Sequence, residues 1–159
     1  AAVERAIRGV DAVISVMNTT ASRKSAITKP LTRATQNIIA DMRRFGVRRL
    51  IITTGGIAQP ADGKDFRFTL FRNIGKWIMP AAYDDALCSA RTVQESDIEW
   101  TILRIFPTNA PGVGRVGAGY VSKGMKMWIS RADAAAFILD ELRDVRYLRQ
   151  APVIYSQKE

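Results

Sequence analysis

The sequence predicts an α/β domain built on a parallel sheet. Twice, a helical apolar pattern closes at a glycine and is followed at once by a run that is apolar on both faces: residues 3–8, Gly9 and 10–17, then 30–45, Gly46 and 49–54. A third such run, residues 99–106, is stopped by Pro107. Strands apolar on both faces belong to sheets covered by helices on each side, and a glycine after a helix supplies the left-handed cap from which the chain turns into the next strand.

Taken in order, residues 3–9 form one or two helical turns, and residues 10–17 read as a buried strand. Residues 18–29 are polar and rich in breakers, so they form a loop, with Thr28 as the cap and Pro30 at the first position of the next helix. In that helix Leu31, Ala34, Ile38, Ile39, Met42 and Phe45 keep the helical spacing. The strand over 49–56 ends abruptly in Thr53, Thr54, Gly55 and Gly56. In open parallel sheets ligands sit beyond the carboxyl ends of the strands, so these four stand where a site is built; a turn that merely needs small residues is the other reading. Residues 57–65, with Pro60 and Gly63, are a loop. A helix over 66–79 carries Phe66, Leu70, Ile74, Trp77 and Ile78 at helical spacing. Phe68 and Phe71 add more aromatic surface than one core stripe requires, which predicts a second face buried against a substrate or a subunit. Residues 83–96 are a further helix, with Leu87, Ala90 and Val93 along it. Residues 112–117 match G-x-G-x-x-G. Pro107 and Pro111 intervene, however, and residues 118–121 continue as loop or strand, so the match reads as a glycine-rich hairpin and not as the strand-turn-helix that seats a pyrophosphate. Ser130 to Asp133 open a helix running to Leu142, with Ala136, Phe137, Ile138 and Leu139 on its buried side and Asp133 in a structural role. Residues 152–156 are a short last strand.

With 159 residues, 47% of them hydrophobic and 25% charged, the chain has the size and apolar content of one domain. No apolar run approaches the roughly 20 residues that span a bilayer, and residues 1–8 lack the pattern of a signal peptide. Together with a single cysteine, Cys88, this predicts a cytoplasmic protein without a membrane partner, in which Cys88 is a small packed thiol. The sequence has no histidine, which removes the imidazole base of hydrolytic triads and histidine metal ligation, and no spacing assembles a metal cluster. The net charge of +9 resides entirely in residues 1–80, which hold 14 Lys and Arg against 5 Asp and Glu, while residues 81–159 hold 10 against 10. Such a surplus attracts nucleic acid, anionic membrane or a phosphate-bearing ligand. Here the cations stand singly or in pairs between apolar positions, as on a solvated face, and no nucleic-acid partner is expected.

Four stretches, residues 9–14 (GVDAVI), 45–52 (FGVRRLII), 99–104 (EWTILR) and 129–135 (ISRADAA), resemble in order and spacing the atypical short-chain dehydrogenases of the NAD(P)H-binding, NmrA-like group. Within that group the likeness is to the flavin and biliverdin-IX-beta reductase type, and it runs from Val3 to Ser156. The resemblance implies a single partial domain over 1–159: a Rossmann-like parallel sheet of about four strands with flanking helices, truncated at its N-terminus. Relatives begin with a strand, a glycine-rich phosphate turn and a helix, whereas this sequence starts at what corresponds to their fourth strand, without the pyrophosphate cradle or the ribose selector. The implied cofactor is NADP or NAD, with nicotinamide-side contacts at Val16, Met17 and Asn18, at Thr53, Thr54 and Gly55, and at Pro107, Thr108 and Asn109. The serine that such reductases often carry after the central strand falls at Gly55, which leaves Thr54 as the hydroxyl candidate for a catalytic role. Tyr83 has Leu87 four residues later, so the Tyr-x-x-x-Lys pair of classical relatives is not formed. The implied activity is reduction of a flavin- or quinone-type acceptor, with the protein positioning two rings and with dinucleotide binding impaired by the missing phosphate turn. The alternative is a non-catalytic interaction or regulatory module, as NmrA-like relatives can be. In the family's sheet order the first strand pairs beside residues 10–17, so its loss leaves an open edge. This predicts a homodimer or larger homo-oligomer formed through the edge from Val10 to Met17 or through the helix over 66–79.

Overall fold

A computed structural model describes residues 2–18, 28–56, 66–106, 108, 114–120 and 128–157. Its elements are α1 (Ala2–Ile7), β1 (Ala12–Ser15), α2 (Pro30–Phe45), β2 (Arg49–Gly55), α3 (Phe66–Ile78), α4 (Pro80–Gln94), β3 (Glu99–Ile105), β4 (Val116–Gly119), α5 (Arg131–Asp144) and β5 (Val153–Ser156). The strands form one sheet in the order β1-β2-β3-β5-β4. Neighbours are parallel except at β4, which runs antiparallel to β5. Five described strands replace the four expected. The added one, β4, comes from the glycine-rich stretch, which is therefore an edge strand and not a hairpin. Within it a Cβ on Gly117 would stand 2.5 Å from the Tyr155 ring of β5, so glycine is what lets the two backbones meet there. Gly112 lies outside the described residues.

Because successive strand residues point to opposite faces, β2 feeds two cores at once. Leu50 and Ile52 pack with Trp100 and Ile102 against Ile38, Ile39 and Met42 of α2 and Val93 of α4. Ile51 packs with Leu103 and Ile154 against Ala134, Phe137 and Ile138 of α5. The result is a sheet between helical layers, the arrangement that strands apolar on both faces require.

Helix α2 ends as its sequence dictates. Gly46 adopts φ 73°, its N–H donates to Arg43 O, and Val47 N–H donates to Met42 O, the paired bonds of a Schellman cap. Its start is different. Lys29, not Thr28, occupies the cap position and its side chain makes no capping hydrogen bond; instead the N–H groups of Leu31 and Thr32 donate to the two carboxylate oxygens of Asp85 on α4, at 3.0 and 2.9 Å. A charged acceptor reaching two otherwise unpaired amides displaces the local cap.

On α5, Ser130 Oγ accepts from Asp133 N, as the capping box requires. The buried stripe is Asp133, Ala134, Phe137, Ile138 and Glu141, whereas Ala136 and Leu139 (52% exposed) face away from the sheet. Glu141 is fully buried because Arg49 Nη2 donates to its Oε1 at 3.0 Å and Thr101 Oγ1 at 3.1 Å. Burial pulls the Arg49 pKa below its ordinary value and the Glu141 carboxylate opposes that shift. Cys88 is a free, half-buried thiol that accepts from Lys29 Nζ at 3.1 Å.

Strand β1 is shorter than expected and only partly buried, with Ile14 39% exposed, because among the described residues it lies at the end of the sheet and pairs with β2 alone. Helix α3 lies against α4 and leaves Leu70, Ile74, Trp77 (84% exposed) and Ile78 exposed. The side chains of residues 66–68, 71 and 72 lie outside those described. No described helix is long and apolar enough to cross a membrane.

Candidate functional site

The carboxyl ends of β1, β2 and β3 open into a cavity of about 1170 Å³. Val16, Met17 and Asn18 reach it as the chain leaves β1, Thr53 to Gly56 from the end of β2, and Ile105, Phe106 and Thr108 from the end of β3. Opposite stand Ile74, Gly75, Ile78 and Met79 from the α3–α4 corner, Tyr83 and Ala86 of α4, and Arg131, Ala134, Ala135 and Ile138 of α5. Of the nine residues predicted for the site, Val16, Met17, Asn18, Thr53, Thr54, Gly55 and Thr108 line this one cavity. Pro107 and Asn109 lie outside the described residues.

The chemistry of the wall is sparse. Thr54, the catalytic candidate, is 9% exposed, and its Oγ1 is buried without a hydrogen-bond partner among the described residues. A buried hydroxyl left unpaired costs about 1–3 kcal/mol, a cost that a ligand's polar group removes. In register beside Thr54 stands Arg104 of β3, almost fully buried, whose Nε donates to Ala151 O at 2.7 Å. Burial lowers its pKa to about 10, so it remains a cation at neutral pH. Gly55 has open space where a Cβ would stand, so nothing nearby forces glycine at the position where a serine was expected by resemblance. At Gly56, by contrast, a Cβ would come within 2.9 Å of the Phe106 ring, and its N–H donates to Ile105 O at 2.9 Å. The glycine thus lets the β2 loop close onto the β3 end and fixes Phe106 as a wall of the cavity.

Sequence reasoning did not place Tyr83, Met79 or Arg131 at the site. For Arg131 there was a signal: a cation in the first turn of a helix opposes the helix dipole, so a sequence that puts one there breaks a local rule without a gain to the helix. Among the described residues that line the cavity Arg131 is the single charged one, and no carboxylate joins it. No group of side chains able to hold a metal ion occurs among the described residues. The wall, apolar but for Asn18, Thr53, Thr54, Tyr83, Thr108 and Arg131, can therefore seat planar apolar groups and orient them through its hydroxyls and one cation.

A parallel sheet with helices on both faces and a cavity at the carboxyl ends of its strands defines the Rossmann-like class of nucleotide-binding α/β domains. The chain belongs to the NAD(P)H-binding family, whose model matches residues 1–145. No curated protein sequence matches it. Among solved structures it is similar to a wide-type short-chain dehydrogenase/reductase from Veillonella parvula in complex with NADP, with a TM-score of 0.74 and 15% identity over 97% of this chain and 66% of that one. It is likewise similar to the oxidoreductase ylbE from Lactococcus lactis (TM-score 0.71, 14% identity, 98% and 66% covered). A third is ChuY, an anaerobillin reductase from Escherichia coli O157:H7 (TM-score 0.72, 18% identity, 99% and 71% covered). These identities establish a common fold. The chain spans 65 to 66% of the length of the first structures it matches.

Proposed function

We propose that the chain is the nicotinamide- and acceptor-binding part of an NAD(P)H-dependent reductase of flavin- or quinone-type acceptors. The observation that carries this reading is the unpartnered Thr54 hydroxyl in a cavity built at the carboxyl ends of three parallel strands. In it Thr54, with Val16, Met17, Asn18, Thr53, Gly55 and Thr108, holds the nicotinamide end of NADP or NAD, and the Thr54 Oγ1 donates to a carbonyl of the cofactor or the acceptor. A bound nicotinamide supplies a hydride. The described residues keep the rings together and shield them from water through Phe106 and Ile138, and among those that line the cavity there is no carboxylate for proton transfer. The family match, a neighbour in complex with NADP and a neighbour described as a reductase support the reading. The free thiol Cys88 suits a reducing, cytoplasmic compartment.

Titration of NADPH and NADH against the 159-residue chain by calorimetry tests the reading. The expected result is saturable binding that Thr54→Val weakens about tenfold, the effect of losing one well-placed hydrogen bond. No binding at millimolar cofactor, or binding indifferent to Thr54→Val, overturns it. The exposed face of α3 and the open β1 edge favour a second reading, an interaction module that works as a homo-oligomer.

A further inference from the structure

We infer that Arg131 anchors a carboxylate or phosphate on the acceptor and so selects acceptors that carry an apolar body with an anionic group. The inference deepens the reductase reading and rests on it. Arg131 lies on the same face of α5 as Ala134, Ala135 and Ile138, at the i, i+3, i+4 and i+7 positions, and all four line the cavity. The face offers an apolar strip more than one turn long with a cation at its amino end. Arg131 is exposed and its side chain makes no hydrogen bond or ion pair with a described residue. Nor does the helix need it: Ser130 already caps Asp133 N, and Asp133 supplies the first-turn acid that the dipole favours. A cation there is disfavoured by the dipole until an anion sits beside it, whereas the adjoining first-turn amides of a helix themselves attract anions. The second observation is independent. Thr54, nine-tenths buried on the opposite wall of the same cavity, also lacks a partner among the described residues. Beside the polar groups of Asn18, Thr53, Thr54, Tyr83 and Thr108, Arg131 is the single charged side chain among the described residues of a largely apolar wall, so it is the one described group there that can pair with a charged end of a ligand, while Thr54 offers that ligand a second fixed point.

The anion could belong to the acceptor or to the dinucleotide, and a pair of flavins separates the two. Riboflavin mononucleotide and riboflavin share one ring system and differ in a phosphate. Each is titrated by flavin fluorescence against the wild-type chain, Arg131→Gln and Arg131→Lys, with NADPH titrated in parallel. The mononucleotide should bind about tenfold more tightly than riboflavin; Arg131→Gln should remove that preference without changing riboflavin binding, and Arg131→Lys should retain most of it. Equal affinities, a preference that survives Arg131→Gln, or no flavin binding at all overturns the assignment. So does a loss on Arg131→Gln that falls on NADPH in place of the mononucleotide, since the anion is then the cofactor's. NADPH binding without a flavin preference removes Arg131 and leaves the reductase reading standing. A preference without NADPH binding keeps the anion site and removes the reductase.

Discussion

Asp85 illustrates how much one residue can hold together. Its carboxylate takes Leu31 N and Thr32 N of α2, accepts the Thr32 hydroxyl at 2.6 Å, and is itself almost fully buried on α4. Replacing it with alanine leaves two amides and a hydroxyl unpaired in the interior, and Asp85→Ala should lower stability by about 2–4 kcal/mol, seen as a shift in the urea midpoint at unchanged slope. Because Tyr83 and Ala86 of the same helix line the cavity, the variant should also weaken ligand binding. This contact is illegible in the sequence, where caps are sought next to the helix they cap and this one lies 54 residues away. The same applies to Glu141, whose partner Arg49 is 92 residues distant. Read locally, Glu141 is a polar residue that ends a buried stripe; in the fold it continues that stripe as half of an ion pair. By contrast Thr54 was legible, because a hydroxyl at the end of an apolar strand needs only the neighbouring residues to be noticed.

At the scale of elements, legibility follows locality in the same way. The end of α2 and the start of strand β2 were readable from Gly46 and from an unbroken apolar run. Strand β4 was not, because its four residues include two glycines and its partner β5 follows only after α5. Strand β1 was readable as a strand but not as a half-exposed one, since exposure depends on what stands beside it. Its outer edge pairs with no other described strand, and Val10 and Ile14 beside it are exposed. Such an edge pairs with another chain unless a charge blocks it. Light scattering at micromolar concentration should therefore show a homo-oligomer, and Ile14→Lys should reduce its mass without changing the far-ultraviolet circular dichroism. A wild-type monomer, or an Ile14→Lys oligomer of unchanged mass together with one unchanged by Trp77→Lys on α3, would rule out both proposed surfaces.

For the whole molecule, the site is a product of topology. Three strand ends far apart in sequence meet at one edge because these strands are parallel; that rule points to Thr53, Thr54, Gly55 and Gly56, and the family resemblance adds Val16, Met17, Asn18 and Thr108, all of which share the cavity. The opposite wall escaped because α3, α4 and α5 reach it across the sheet, and no local pattern tells which turn of a helix ends over a strand's carboxyl end. The basic surplus of the first half is likewise resolved only in three dimensions. Arg43 pairs with Asp97 and Arg48 with Glu99, so cations of residues 1–80 meet acids of residues 81–159.

Of the three described strands whose ends reach the cavity, the one that delivers Val16, Met17 and Asn18 is held from a single side among the described residues, and this makes the site's wall separable from its floor in time. Opening of an edge strand with few buried side chains costs less than global unfolding, whereas the central strands open only with the whole domain. Amide protons of residues 12–15 should accordingly exchange with deuterium well before those of Leu50 to Ile52 and of Ile102 and Leu103. A ligand seated against the wall should slow that early exchange selectively, so the exchange rate of the sheet's margin reports whether the site is filled.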